Sequence, residues 1–464
     1  MQNLKYLSFI LVFLSVSTFA QSKKPNIIVI MIDDMGWRDV GFMGSKYYET
    51  PNIDALASKG MVFTDAYASA ANCAPSRASL MSGQWTPRHG IYTVGTSARG
   101  QSRDRKLIPI KNNEYIPKDN LLIPKVLRDA GYITCHAGKW HLSDNPITHG
   151  FDVNIGGNHA GNPGSYYPPY KKVPLEAPTD DKYLTELIMD RTLDFVKTTN
   201  KKPFFLYYSP YAVHTPIQSV KSLLSKYDNK TPWNGQNNSQ YATMVENLDI
   251  QIGRLITVLR TLNKLENTLV LFSSDNGGVY TITKQRPLRA GKGSYYEGGI
   301  REPLFAFWHN QIEAGTKSDY PVSNLDFYPT ILEAAGINVP MDKVLDGQSI
   351  MPLLVQGKKL KERPLFWHFP IYLESGNEDS QDPLFRCRPG SAIRLGNWKL
   401  IEYFENNDFE LYNLKNDIGE RINLINSHPN KAQKLLTILT NWRKEVNAVV
   451  PTELNPKYVE DNYN

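Results

Sequence analysis

Residues Asn26–Ile32 read Asn-Ile-Ile-Val-Ile-Met-Ile, an unbroken apolar run rich in β-branched side chains. A strand with one wet face would alternate polar and apolar residues. This run has no polar face, so both sides of its sheet must be covered. The rest of the pattern supplies the cover. Residues 53–59 form a short helical pattern closed by Gly60, and residues 61–67 return to strand character. Further strands are expected at 132–137, Phe204–Ser209 and Thr268–Ser274, separated by helical patterns at Ile123–Asp129, 183–199 and 241–262. This alternation predicts an α/β class fold, a large α/β/α sandwich around a mostly parallel sheet.

At 464 residues the chain has room for one large domain and a smaller one. The pattern changes after about residue 350, where short strands at 392–396, 398–404 and 409–412 are joined by turns at Gly396-Asn397 and Asn406-Asn407. An amphipathic helix at 431–446 follows, with Leu435, Ile438, Leu439 and Trp442 at helical spacing. The expected organisation is a catalytic domain over 21–355 and a C-terminal subdomain over 356–464, an antiparallel sheet with a helix. The boundary is expected between Met351 and Pro364.

Residues 1–20 have the make-up of a secretory signal peptide, with Lys5 at the start, an apolar stretch from Leu7 to Phe19 and a cleavage site at Thr18-Phe19-Ala20. That stretch is short for a membrane span and no later segment is long and apolar enough. Export to the periplasm or medium, without stable membrane insertion, is therefore expected. Three cysteines, at 73, 135 and 387, exclude a disulfide scaffold. With Cys73 set aside for chemistry only Cys135 and Cys387 could pair, and buried free thiols are the favoured expectation. The net charge of +6 is spread over dispersed Lys and Arg, with no aromatic–basic interleaving, which argues against nucleic acid as a partner.

The residues that carry chemistry fall just past strand ends. Asp33-Asp34 follows the first strand, Lys139 and His141 the strand ending near Ala137, His214 the one ending near Ser209, and Asp275-Asn276 the one ending at Ser274. Open α/β sheets bind ligands beyond the carboxyl ends of their strands, so these four segments are expected to converge. Asp33, Asp34, Asp275 and Asn276 offer only oxygen donors, which suits a hard cation such as Ca²⁺ or Mg²⁺, whereas zinc would recruit imidazole or thiolate. In the run Cys73-Ala74-Pro75-Ser76-Arg77-Ala78-Ser79-Leu80-Met81-Ser82-Gly83, Pro75 suits the first turn of a helix and Gly83 its end. Cys73 is therefore expected just ahead of a helix N-terminus, where free amides favour anions and depress a thiol's pKa, with Arg77 adding a fixed charge.

That run resembles the signature of the type I sulfatases, Cys-x-Pro-Ser-Arg-x-x-x-Leu/Met-x-Ser/Thr-Gly, with every fixed position present. Gly138-Lys139-Trp140-His141-Leu142 is similar to the family's second signature. His214 in His214-Thr215-Pro216 and Lys292 in Gly291-Lys292-Gly293 stand at matching landmarks, the agreement running over residues 26–308. The resemblance implies an alkaline phosphatase-like fold and a sulfuric ester hydrolase. It implies that a maturation enzyme oxidises Cys73 to formylglycine (3-oxoalanine), whose hydrated aldehyde is the nucleophile. It further implies one Ca²⁺ held by Asp33, Asp34, Cys73, Asp275 and Asn276, and a sulfate group held by Arg77, Lys139 and Lys292. In that scheme Asp275 assists the attack, His214 aided by Lys292 protonates the leaving oxygen, and His141 takes the proton whose loss expels sulfate. An aryl sulfatase, or a phosphonate or phosphodiester hydrolase of the same superfamily, is the alternative, and a non-catalytic glycan-binding protein a third reading.

Loops outside the shared core set substrate choice. Residues 156–170 are long, turn-rich and aromatic, and read either as a glycan-binding rim, with His159, Tyr166 and Tyr167 as contacts, or as a rigid loop of packed tyrosines. Arg386 and Arg388 flank Cys387, and His368 lies in the aromatic run Phe366-Trp367-His368-Phe369. These three are candidates for binding carboxylates or further sulfates of a polyanionic sugar. Export and the polar loops together favour a sulfated carbohydrate substrate, such as algal polysaccharide or glycosaminoglycan fragments.

Overall fold

The computed structural model describes residues 24–199 and 202–460, so the expected signal peptide at 1–20 lies outside the described residues. In chain order the strands are β1 (Asn26–Ile32), β2 (Met61–Phe63), β3 (Ala66–Tyr67), β4 (Ile133–Gly138), β5 (Val153–Ile155), β6 (Phe204–Ser209), β7 (Thr268–Ser274) and β8 (Leu304–Phe307). They continue as β9 (Thr316–Ser318), β10 (Val322–Ser323), β11 (Leu365–Phe369), β12 (Leu373–Glu374), β13 (Phe385–Cys387), β14 (Gly390–Leu395), β15 (Trp398–Tyr403) and β16 (Asp408–Asn413).

The main sheet has the order β5-β4-β6-β1-β7-β8-β2-β9. From β5 to β7 all neighbours are parallel, β8 runs against both β7 and β2, and β2 and β9 are again parallel. The expected α/β sandwich is therefore present, with one reversed strand. β1 lies inside it and divides its side chains as a doubly covered strand must. Ile28, Ile30 and Ile32 join the apolar layer under the helices Leu184–Thr198 and Ser239–Thr261, and Ile27, Val29 and Met31 the layer under Cys73–Ser82, Ile123–Asp129 and Phe327–Ala334. Each fully buried side chain of this size contributes roughly 1.5–3 kcal/mol, so a charge at Ile30 would break the sheet at its centre. The stretch 61–67, read as one strand, is two: β2 stays in the main sheet and β3 leaves it to pair with β10. The break falls at Thr64-Asp65, where Asp65 turns to Arg301 and Arg394.

A second sheet, β11-β14-β15-β16, is antiparallel throughout and carries the helix Pro429–Glu445, which buries Leu435, Leu439 and Trp442. Its strand β11 is the run 366–369 that the sequence presented only as aromatic. One apolar cluster joins Tyr67, Trp85 and Tyr296 to Trp367, Ile393 and Trp442, so the second sheet is packed directly on the first body. The hairpin β12–β13 completes this part. Cys135 and Cys387 are both buried free thiols, as favoured. No described helix is long and apolar enough to cross a membrane.

Candidate active site

Four strand ends converge. The backbone past β1 bonds to its neighbours, Val213 N donating to Asp33 O (2.9 Å) and Asp275 N to Ile32 O (3.0 Å). This locks Asp33, His214 and Asp275 side by side. Asp34 takes φ 60°, a left-handed conformation that a short polar side chain tolerates. At the end of β4, Gly138 has φ 110°, and a Cβ there would come 2.0 Å from Ser209 O. Only glycine lets β4 turn this close to β6 and deliver Lys139.

Cys73 is the first residue of the helix Cys73–Ser82, one position further in than expected; Asn72 caps it, its side-chain oxygen accepting from Cys73 N (3.2 Å), and Gly83 closes it at φ 67°. All ten residues of the helix are buried. Arg77, one turn on, donates through Nε to Asp275 Oδ2 (2.7 Å) and through Nη1 to Lys139 O (3.0 Å) and to Ser209 Oγ. Its Nη2 lies 3.6 Å from Asp33 Oδ1 and is buried without a hydrogen-bond partner. Lys139 Nζ bonds both oxygens of Asp33 (2.9 and 2.7 Å). Lys292 Nζ bonds both oxygens of Asp34 (2.6 and 2.8 Å) and reaches Cys73 Sγ at 3.0 Å.

Electrostatics follow from this packing. Burial pushes the Cys73 thiol up, but Lys139 and Lys292 outweigh it and bring it down to about 7. Burial pushes Asp275 up to about 6, against the pull of Arg77. Burial also acts on Asp34, yet Lys292, His214 and Lys139 hold it well below the usual carboxylate range. Burial disfavours a charged His214, but Asp33 and Asp34 reverse this and raise its pKa. Its Nδ1 faces Thr215 O (2.7 Å), which leaves Nε2, 3.6 Å from Asp34 Oδ2, as the exchangeable nitrogen. Burial, then Lys139 and Arg77, keep His141 neutral. A Cβ on Gly161 would stand 2.7 Å from its Nε2, so glycine makes room for that ring.

Ligand atoms of Asp33, Asp34, Cys73 and His214 lie within 4.8 Å of one another. Asp275 and Asn276 adjoin them: Asp34 N donates to Asp275 Oδ1 (3.2 Å) and Asn276 Nδ2 to Asp34 Oδ1 (2.8 Å). Asn276 Oδ1 is buried with no donor. An orphaned acceptor among buried carboxylates is what a hard cation satisfies, and the donor set fits Ca²⁺.

The expected substrate contacts separate. The ring of His159 lies 6.0 Å from that of His141 and stacks on Tyr115 at 4.3 Å, beside the reacting groups. Tyr166 is a correction: it is fully buried, its hydroxyl donating to the carbonyls of Tyr211 (2.6 Å) and His214 (2.8 Å), so it supports the His214 loop from behind. Tyr167 packs on Tyr183 and donates to Ser219 O (3.0 Å), a packing residue too. His368 is corrected as well, since it is buried in β11 with Nδ1 against Ser391 Oγ (2.8 Å) and Nε2 against Val449 O (3.0 Å). Arg388 is spent on Asp382 and Glu405. Arg386 alone of its pair lies by the site, over Gly293. Ser209, Tyr115 and the cap Asn72 were not found from sequence, because none stands in a periodic pattern or recognisable spacing.

Comparison with known proteins accords with this geometry. The family model described as Sulfatase matches residues 25–337, and one described as N-sulphoglucosamine sulphohydrolase, C-terminal, matches 291–447. A sulfatase of Formosa agariphila is 33% identical, over 95% of this chain and 92% of that protein. Human N-acetylgalactosamine-6-sulfatase is 32% identical, over 74% of this chain and 68% of its own. The solved structure of Ps i-CgsB in complex with k-i-k-neocarrahexaose superposes with a TM-score of 0.76 at 31% identity, covering 95% of this chain and 96% of that one. The signature cysteine at a helix start, the clustered carboxylates and these matches agree on sulfate-ester hydrolysis at a formylglycine and metal centre, and the chain belongs to the sulfatase family.

Proposed function

We propose that this sulfatase removes sulfate from a sulfated polysaccharide or oligosaccharide, acts after export, and is matured at Cys73 by a formylglycine-generating enzyme. The observation that carries the carbohydrate reading is the Tyr115–His159 stack. Tyr115 is 47% exposed and its stack reaches the His141 ring, which gives a sugar an aromatic face beside the reacting group. Relatives named for N-acetylgalactosamine-6-sulfate and a complex with a neocarrahexaose support it. In this reading residues 21–355 form the catalytic part and 356–464 the C-terminal subdomain.

A Ca²⁺ held by Asp33, Asp34, residue 73, Asp275 and Asn276 would supply positive charge against the sulfate oxygens, and the formylglycine a diol nucleophile with its own exit route. The protein's own groups do the rest. Arg77 Nη2, Lys139 Nζ and Lys292 Nζ grip the sulfate oxygens and stabilise charge as the bond breaks. Asp275 accepts a proton on the attacking side. His214 holds at Nε2 the proton for the leaving sugar oxygen, and neutral His141 accepts the last one.

Sulfate release from a panel of defined sulfated oligosaccharides, set beside aryl sulfates and phosphonate esters, tests this. Turnover of at least one oligosaccharide is expected. Turnover of aryl or phosphonate esters alone would contradict it.

A further inference from the structure

The hairpin β12–β13 carries an arginine from the C-terminal part over Gly293, the residue next to Lys292. We propose that Arg386, flanked by Arg99, binds a second anionic group of the substrate, a carboxylate or a further sulfate ester beside the scissile one. The sulfatase would then select doubly charged sugars. This inference rests on the carbohydrate reading above.

The placement is set by a glycine. Gly293 has φ +90°, and a Cβ on it would meet Arg386 Cδ at 2.8 Å and Cγ at 3.3 Å, so the arginine stem crosses directly over this residue. Gly293 follows Lys292, whose ammonium stands 3.0 Å from Cys73 Sγ. The arginine stem therefore passes one residue along from the group that touches the nucleophile, and Asp34, which Lys292 holds, acts on its charge.

Its hydrogen-bonding fork is unfilled. Arg386 Nε donates to Glu374 O (3.1 Å), and its two terminal nitrogens have no hydrogen-bond partner among the described residues. Glu374 is engaged by Arg99 at one oxygen only, Nε and Nη2 both bonding Oε1 (3.1 and 2.7 Å), and Asp34, whose charge also acts on Arg386, is held by Lys292. The Arg99 loop is itself held in place, since Arg105 donates to the carbonyls of Arg99 and Gly100. Arg388, two residues on, shows the contrast, with Asp382 and Glu405 both spent on it. The open terminal nitrogens of this half-buried guanidinium form a planar fork that fits two oxygens of a carboxylate or sulfate.

The test compares kcat/KM of the holoenzyme on one sugar scaffold bearing the scissile sulfate alone, with an added sulfate, or with an added carboxylate. Wild type is expected to prefer a doubly charged form, and the preferred arm names the second group. Arg386→Met should shrink that preference about 10–100-fold, mostly through KM, as expected for a charge-assisted pair. Arg386→Lys should keep part of it, Arg386→Glu should invert it, and Arg99→Met should weaken it. Should Arg386→Met not fold, by its circular dichroism spectrum, the Lys and Arg99 variants decide. No wild-type preference, or equal losses on singly and doubly charged sugars, would overturn the inference while the carbohydrate reading stands. Turnover of aryl sulfates with none of any sugar would remove that reading and this inference together.

Discussion

Two clusters of buried charge lie in this chain, and they do different work. One is the catalytic set around Asp33, Asp34 and Asp275. The other ties the larger part to the C-terminal sheet: Glu297 accepts from Tyr67 (2.6 Å), Arg301 (2.9 Å) and Lys399 (3.0 Å), Lys399 also pairs with Glu420 (2.8 Å), and Arg301 and Arg394 share Asp65. The side chains of Glu297, Lys399 and Glu420 are 0% exposed, whereas Lys292 and His214 keep 11% and 15%. The catalytic set also retains Arg77 Nη2, Asn276 Oδ1 and His141 Nδ1 without partners. Burial and charge alone therefore do not mark a site. Nor do unmet polar atoms by themselves, since Glu420 Oε1, though ion-paired with Lys399, and Trp442 Nε1 also lack hydrogen-bond partners; what the catalytic set adds is partial exposure at Lys292 and His214.

The sharpest way to break that distinction is to remove one group from each cluster. Cys73→Ala is expected to cut sulfate release by at least about 10⁴-fold while thermal unfolding stays near wild type. Lys399→Met should do the reverse. It leaves Glu420 buried without its cation and takes one of two from Glu297, which keeps Arg301, costing about 3–5 kcal/mol in a urea titration while the folded fraction keeps its kcat. A Lys399→Met protein of wild-type stability would show the second cluster to be no tie.

Within the catalytic cluster, His214→Ala separates proton donation from sulfate binding. A sugar oxygen leaves poorly without its proton, and an activated nitrophenolate hardly needs one. The loss on a sulfated sugar should therefore be about 10²–10⁴-fold and the loss on the aryl ester far smaller, measured as kcat on each. Equal losses would assign His214 to holding sulfate.

The smallest effect concerns pH. Burial, opposed by Lys399, raises Glu420 to about 7 from its ordinary 4.5. The folded state then binds more protons than the unfolded one between these values, so this group's contribution is full below 4.5 and is lost as pH rises through 7. Glu420→Gln should remove that fall, up to about 1.4 kcal/mol per pH unit, in unfolding midpoints compared at pH 5 and 7. An unchanged pH profile would place the titration elsewhere.

What was legible in the sequence was what repeats or has fixed spacing. The run Asn26–Ile32 announced a doubly covered strand, and the signature around Cys73 with the polar residues past four strand ends announced the site. The failures have a common physical cause. Tyr166 and His368 are polar, so their types argued for contact with a ligand, yet their partners are Tyr211, His214, Ser391 and Val449, far off in the chain and met only by folding. The reversed β8 and the break between β2 and β3 were hidden for the same reason, since strand direction and exit are set by tertiary pairing. Arg386 was legible as one of two arginines flanking Cys387, but Arg99, which reaches Glu374 beside it across most of the chain, stands in no local pattern that marks it.

Residue 73 is the converted nucleophile of the partly exposed cluster. Peptide mass spectrometry of residue 73, on catalytically active protein made in a host that has the maturation enzyme, tests it most directly. The expected result is the aldehyde or its hydrate at that position, in an amount that tracks specific activity. Fully active protein carrying only unmodified cysteine there would contradict the account.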